Sequence, residues 1–157
     1  MIDSSWQNAT GHFIDFAAIV DHVLLHQKKR GSIYIGTDSH ENGSNFIIVT
    51  AICLHGADSQ IGGYYYYSKE VTQRASRKPV RRKIELETHR SIDIACALRD
   101  KNVNNITIHI DASHHTTLHM SGKFSKGMVS YVKNMGFICE IKPKAWASGS
   151  IADKHSK

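Results

Sequence analysis

Ser32-Ile-Tyr-Ile-Gly-Thr-Asp-Ser-His40 and Asn105-Ile-Thr-Ile-His-Ile-Asp-Ala-Ser113 are two short apolar runs, and each arrives at an aspartate, Asp38 in the first and Asp111 in the second. The segment between them reads as a hairpin meander followed by one long helix. A helix return of that kind brings the later strand back parallel to the earlier one. Two parallel neighbours that both end in Asp set two carboxylates side by side at one edge of a sheet. Crowded carboxylates repel, and they persist where a divalent cation or a shared proton compensates them. A metal site is the first expectation.

Working outward, Phe13, Phe16, Ala17, Val20, Val23 and Leu24 recur at helical spacing and predict an amphipathic helix from about Gly11 to Arg30, capped by Thr10 and ended by Gly31. After the strand that reaches Asp38, Asn42-Gly43 signals a hairpin. Phe46 to Leu54 is a continuous apolar strand, as expected of one covered on both faces, and Tyr64 to Tyr67 is a third, rich in aromatics. A basic loop from Arg74 to Arg82 leads into the long helix, with Pro79 near its first turn and Val80, Ile84, Ser91, Ile94, Ala95 and Leu98 as its buried stripe. Ile106 to Asp111 is a fourth strand, Lys123 to Met135 a helix closed by Gly136, Phe137 to Ile141 a fifth strand, and Trp146 to His155 a terminal helix. This order predicts an α/β fold: a five-stranded mixed sheet in the order 3-2-1-4-5 with helices on both faces. Residues 1–157 are expected to form a single domain, residues 1–30 being a helical extension packed on it.

The chain has 157 residues, 41% of them hydrophobic and 22% charged, as in an ordinary globular protein. Its 20 basic residues against 14 acidic ones give a net charge of +6, which favours polyanionic partners. Cys53, Cys96 and Cys139 stand far apart in apolar runs, a pattern of buried free thiols and not of a disulfide framework or a cysteine zinc site. Asp15, Asp21 and His22 interrupt the first apolar stretch, and no run reaches the length of a membrane span. A cytoplasmic location is expected.

Two further acids can reach the edge set by Asp38 and Asp111. At one hundred degrees per residue the stripe of the long helix centres near Ile84, Ser91 and Ala95. Glu87 falls close to that stripe and Glu85 points away from it. A carboxylate on a core-facing stripe costs free energy unless it is paired or bound to metal. Asp153, after the small residues of Ala147-Ser-Gly-Ser-Ile-Ala, is the fourth candidate. An isolated Asp at a strand end usually just starts a turn. Two at adjacent ends, with Glu87 facing them, favour the metal.

The arrangement resembles the ribonuclease H-like superfamily, and more closely the ribonuclease H-like YkuK family of bacterial proteins. The resemblance covers nearly the whole chain and rests on Ile35-Gly-Thr-Asp-Ser39, Glu87-Thr88 with Ser91 and Ala95, Ile108-His-Ile-Asp111, Ile141-Lys-Pro143, Ala147-Ser148 and Ile151-Ala-Asp153. It implies a metal-binding edge made by Asp38, Glu87, Asp111 and Asp153. The chemistry to expect is phosphodiester hydrolysis in RNA or DNA with two Mg²⁺ or Mn²⁺ ions about 3.5–4 Å apart. Unlike the ribonuclease H enzymes, the chain carries no basic helical protrusion for gripping a hybrid duplex. A non-catalytic member that binds nucleic acid or protein through the same surface is the alternative.

Arg81 and Arg82, with Arg74, Arg77, Lys78 and Lys83, are candidates for gripping phosphates, and a solvated helix entry explains them equally well. Lys142, Lys144 and Trp146 lie between the last strand and last helix, where Trp146 either stacks on a base or pins the helix. His114, His115 and His119 crowd one loop. Zinc is the weaker reading there, with no cysteine nearby and no third ligand assured. His40, His89 and His155 each neighbour a proposed carboxylate and are candidate proton shuttles.

Overall fold

A computed structural model describes residues 5–73, 80–112, 122–142 and 144–156. The elements are β1 (Trp6–Asn8), β2 (Phe13–Ile14), α1 (Phe16–Lys28), β3 (Ser32–Asn42), β4 (Asn45–His55), β5 (Gly63–Gln73), α2 (Val80–Arg99), β6 (Ile106–Ile110), α3 (Gly122–Asn134) and β7 (Ile138–Ile141). A π-helical segment, Ala147–Ala152, then runs into the single turn of α4 (Asp153–Ser156). The sheet is mixed, as its connections require. The β3–β4 and β4–β5 hairpins are antiparallel, whereas β6 and β7 return through α2 and α3 and lie parallel to β3.

The five-stranded sheet expected from the sequence is corrected to seven strands in the order β2-β1-β5-β4-β3-β6-β7. The two additions are the short strands β1 and β2, which extend the β5 edge through pairs such as Trp6↔Ser68 and Trp6↔Ile14. Runs of three and two residues are too short to show a period. They shorten the expected first helix as well: Gly11 has a φ of +86° and the Asn8 side chain accepts the Thr10 and His12 N–H groups, so residues 8–12 form a turn. Asp15, not Thr10, takes the N-cap position of α1. At the other end the left-handed residue is Arg30, with a φ of 60°, one place before Gly31.

The core is divided by the sheet. On one face Ile33, Ile35, Ile52 and Leu54 pack with Ile19 and Val23 of α1, Ile94 and Leu98 of α2 and Val132 of α3. Each such aliphatic side chain, fully buried, contributes about 1.5–3 kcal/mol. On the other face Val49, Ala51, Cys53 and Tyr67 are covered by Ala147 and Ala152 of the π-helical segment. That cover sits very close to β3. A Cβ on Gly36 would lie 2.3 Å from the Ser148 backbone nitrogen, so only glycine lets the two backbones meet there. No helix of the described residues is long and apolar enough to cross a membrane.

Candidate metal centre

Register sets the first two carboxylates. The parallel pairs run from Ile33↔Ile106 to Gly36↔His109, a constant offset of 73 (106 − 33), which carried two places further sets Asp38 level with Asp111. The expectation that Asp38 ends its strand is corrected: β3 continues to Asn42 on its antiparallel partner β4. Asp38 stands two residues beyond the last parallel pair with β6, Gly36↔His109.

Helix α2 crosses above this point and supplies the third acid. Its phase is held by buried Ile84, Thr88, Ser91 and Ala95, with the Ser91 hydroxyl 2.7 Å from Thr37 Oγ1 on β3. Glu87 lies on this face and is 4% exposed. Glu85 points away and pairs with Arg82 at 3.5 Å. Ligand oxygens of Asp38, Glu87 and Asp111 all lie within 4.8 Å of one another. Asp153 is outside that group, at the start of α4, yet close enough for its charge to raise the Asp38 pKa.

Neighbouring groups hold the acids in place. Ser156 Oγ donates to Asp38 Oδ2 at 2.7 Å, and Ser39 Oγ donates to Glu87 Oε2 at 3.4 Å. Lys83 Nζ reaches Asp38 Oδ1 at 3.6 Å and Glu87 Oε1 at 3.4 Å. Lys142 Nζ is ion-paired with Asp111 Oδ1, an oxygen that is buried and takes no hydrogen bond. Beneath them, His109 Nδ1 accepts the Ala147 backbone N–H at 3.0 Å and ties β6 to the π-helical segment. Burial pushes the His109 pKa down to about 4, so its ring is neutral, with the proton on Nε2.

Burial pushes the Glu87 carboxyl up to about 8; Asp38 and Asp111 add to the rise, against Lys83. Asp38 is raised as well, first by burial and then by Asp111 and Asp153, against the Ser156 hydrogen bond and Lys83. Burial alone would lower the Lys83 pKa, but the facing carboxylates outweigh it and the net shift is upward. With Glu87 protonated at neutral pH, Asp38 and Asp111 each have one ammonium partner. An all-oxygen donor set, crowded enough for one member to hold its proton, fits a hard divalent cation.

The remaining sequence candidates are scattered. Arg81 and Arg82 are exposed on the first turn of α2, and Lys144 is exposed after β7. Trp146 is half-buried, its ring centroid 4.8 Å from Tyr34 and 5.3 Å from His109. Lys142 is turned onto Asp111. His155 stacks on Tyr67 at 3.9 Å and bonds the Tyr65 hydroxyl at 2.9 Å, which anchors α4. His89 packs edge-on against Tyr131, while His40 is exposed. His114, His115 and His119, and Arg74, Arg77 and Lys78, lie outside the described residues. Sequence reasoning missed Ser39 and Ser156 as partners of the acids and grouped Lys83 with the basic loop. The i, i+4 spacing of Lys83 and Glu87 was the available signal.

No curated protein matches the chain. A family model described as Ribonuclease H-like matches residues 16–157, which takes in every carboxylate of the cluster, and the chain belongs to the ribonuclease H-like family.

Proposed function

We propose that the protein is a divalent-metal-dependent nuclease that hydrolyses phosphodiester bonds in RNA or DNA, working as a single cytoplasmic domain of the YkuK kind. The observation that carries this reading is the convergence of Asp38, Glu87 and Asp111 within 4.8 Å, beside β3 and just past the end of β6. Burying acids together is costly, and a surface meant only for polyanions gains nothing from them. Asp38, Glu87 and Asp111 would hold Mg²⁺ or Mn²⁺, with Asp153 as a fourth carboxylate beside them. When bound, such ions activate water and stabilise the leaving oxygen.

The chain's own groups orient this centre. Ser156 fixes the Asp38 carboxylate, Ser39 fixes Glu87, and His109 holds the backbone of the segment that carries Asp153. Arg81, Arg82 and Lys144 are exposed cations suited to phosphate contacts. Trp146 is packed mainly as a support for the π-helical segment, and Lys142 serves Asp111 before it serves a substrate.

A non-catalytic binding module is the second reading. What favours it is that Lys83 and Lys142 already neutralise the acids. A panel of labelled RNA, DNA, hybrid and branched substrates, incubated with Mg²⁺ or Mn²⁺ beside an Asp111→Asn control, separates the two. The nuclease reading expects cleavage that the control abolishes. Silence across the panel favours the binding module, and equal cleavage by the control exposes a contaminant.

A further inference from the structure

Lys83 stands in the first turn of α2, one turn before Glu87, with its side chain 32% exposed. Its ammonium is 3.6 Å from Asp38 Oδ1 and 3.4 Å from Glu87 Oε1, so one internal cation bridges two of the three converging carboxylates. Lys142 differs: it reaches Asp111, is 47% exposed, and leads back to solvent. A lysine on a flexible four-carbon stem can leave such a bridge without moving its helix. A hard dication needs the same carboxylates with their lone pairs free. Ammonium and metal therefore compete for one pair of acids.

We infer that Lys83 is the resident counter-cation of this site, bridging Asp38 and Glu87 in the metal-free protein, displaced when a divalent ion binds, and setting the metal concentration at which the site loads. The inference rests on the reading of the cluster as a metal site. Its effect follows from mass action: while the bridge is closed, only the open fraction of molecules is competent, and apparent affinity falls by that fraction. The same bridge ties α2 to β3 in the empty protein, since Glu87 lies on the helix and Asp38 on the strand.

Calorimetric titration of Mn²⁺ into EDTA-stripped, desalted protein tests this in wild type, Lys83→Met, Lys83→Arg and Lys142→Met, alongside melting temperatures with and without the metal. Lys83→Met should bind Mn²⁺ about tenfold tighter or better, melt lower in EDTA and gain more from Mn²⁺, because its competent fraction is near one. Lys83→Arg, which keeps the charge, should stay within about threefold of wild type, and Lys142→Met should change less than Lys83→Met because its ammonium is more solvated. Binding by wild type with unchanged or weaker binding by Lys83→Met overturns the inference alone. No Mn²⁺ binding by any of the four proteins overturns the metal-site reading and the inference with it. Should Lys83→Met fail to fold, the side-chain nitrogen signal of Lys83 in wild type, assigned by its loss in Lys83→Arg, decides. It should shift as Mg²⁺ saturates the protein, and an unmoved signal in a protein that binds Mg²⁺ overturns the inference.

Discussion

Raising the pH on the metal-free protein should destabilise it through Glu87, with Asp38 shifted in the same direction. For Glu87 the ordinary carboxyl value is 4.5 and the folded protein pushes it to about 8, chiefly by burial. A raised folded pKa means the native state holds the proton more tightly than the unfolded chain does. The resulting stability is complete below pH 4.5 and is lost as pH climbs through about 8. The span is 8 − 4.5 = 3.5 pKa units. At about 1.36 kcal/mol per unit it sets a ceiling near 5 kcal/mol, of which about 4 kcal/mol disappears between pH 5 and pH 9. Urea denaturation in EDTA, wild type beside Glu87→Gln, reports the effect of the cluster, because Gln mimics the protonated acid and titrating groups away from the cluster cancel in the difference. The gap between the two stabilities should change by a few kcal/mol over that range, with wild type losing ground as pH rises. Parallel curves would refute the reasoning and mean that water reaches Glu87 freely.

Saturating Mn²⁺ should raise the wild-type melting temperature, since a ligand of the native state alone stabilises it, and the rise should vanish in Asp38→Asn. Asp38→Asn and Asp111→Asn should each abolish metal-dependent cleavage while retaining the circular dichroism spectrum, whereas Asp153→Asn should lower the rate less, because it lies outside the tight group. Gly36→Ala should cost about 1–3 kcal/mol by urea denaturation, because the new methyl meets fixed backbone at Ser148 and has no rotamer through which to escape. Joint replacement of Arg81 and Arg82 by Ala should weaken substrate binding and flatten its dependence on salt, measured by anisotropy, with little change in the rate at saturation.

The long range of the sequence signal explains which features were legible. Strands of five residues or more, joined by hairpin turns or by helices with a clear stripe, announce both their existence and their order; β3, β4, β5, β6 and α2 are of this kind. Glu87 stood out because one charged residue on an apolar stripe breaks a period. What stayed hidden had no period to break. β1 and β2 exist because the edge of β5 offers backbone partners, a tertiary cause that three residues cannot advertise. The overrun of β3 past Asp38 depends on how far β4 follows it. The partnership of Ser156 with Asp38 depends on a π-helical turn, whose wider ring carries α4 around to face β3.

That partnership joins residues 118 positions apart, and it bears on the order in which the molecule assembles. The face of the sheet lined by α1, α2 and α3 can close before the last segment docks, whereas Val49, Ala51, Cys53 and Tyr67 wait for Ala147 and Ala152. The last segment adds its contacts to a sheet whose strands all precede it in the chain. A partial opening confined to the C-terminal segment would thus bare an apolar sheet face and strip Asp38 of its serine in one event. Amide exchange along β4 should report that opening as a unit distinct from the helical face, and whatever keeps the last turn docked guards the site and the solubility of the protein together.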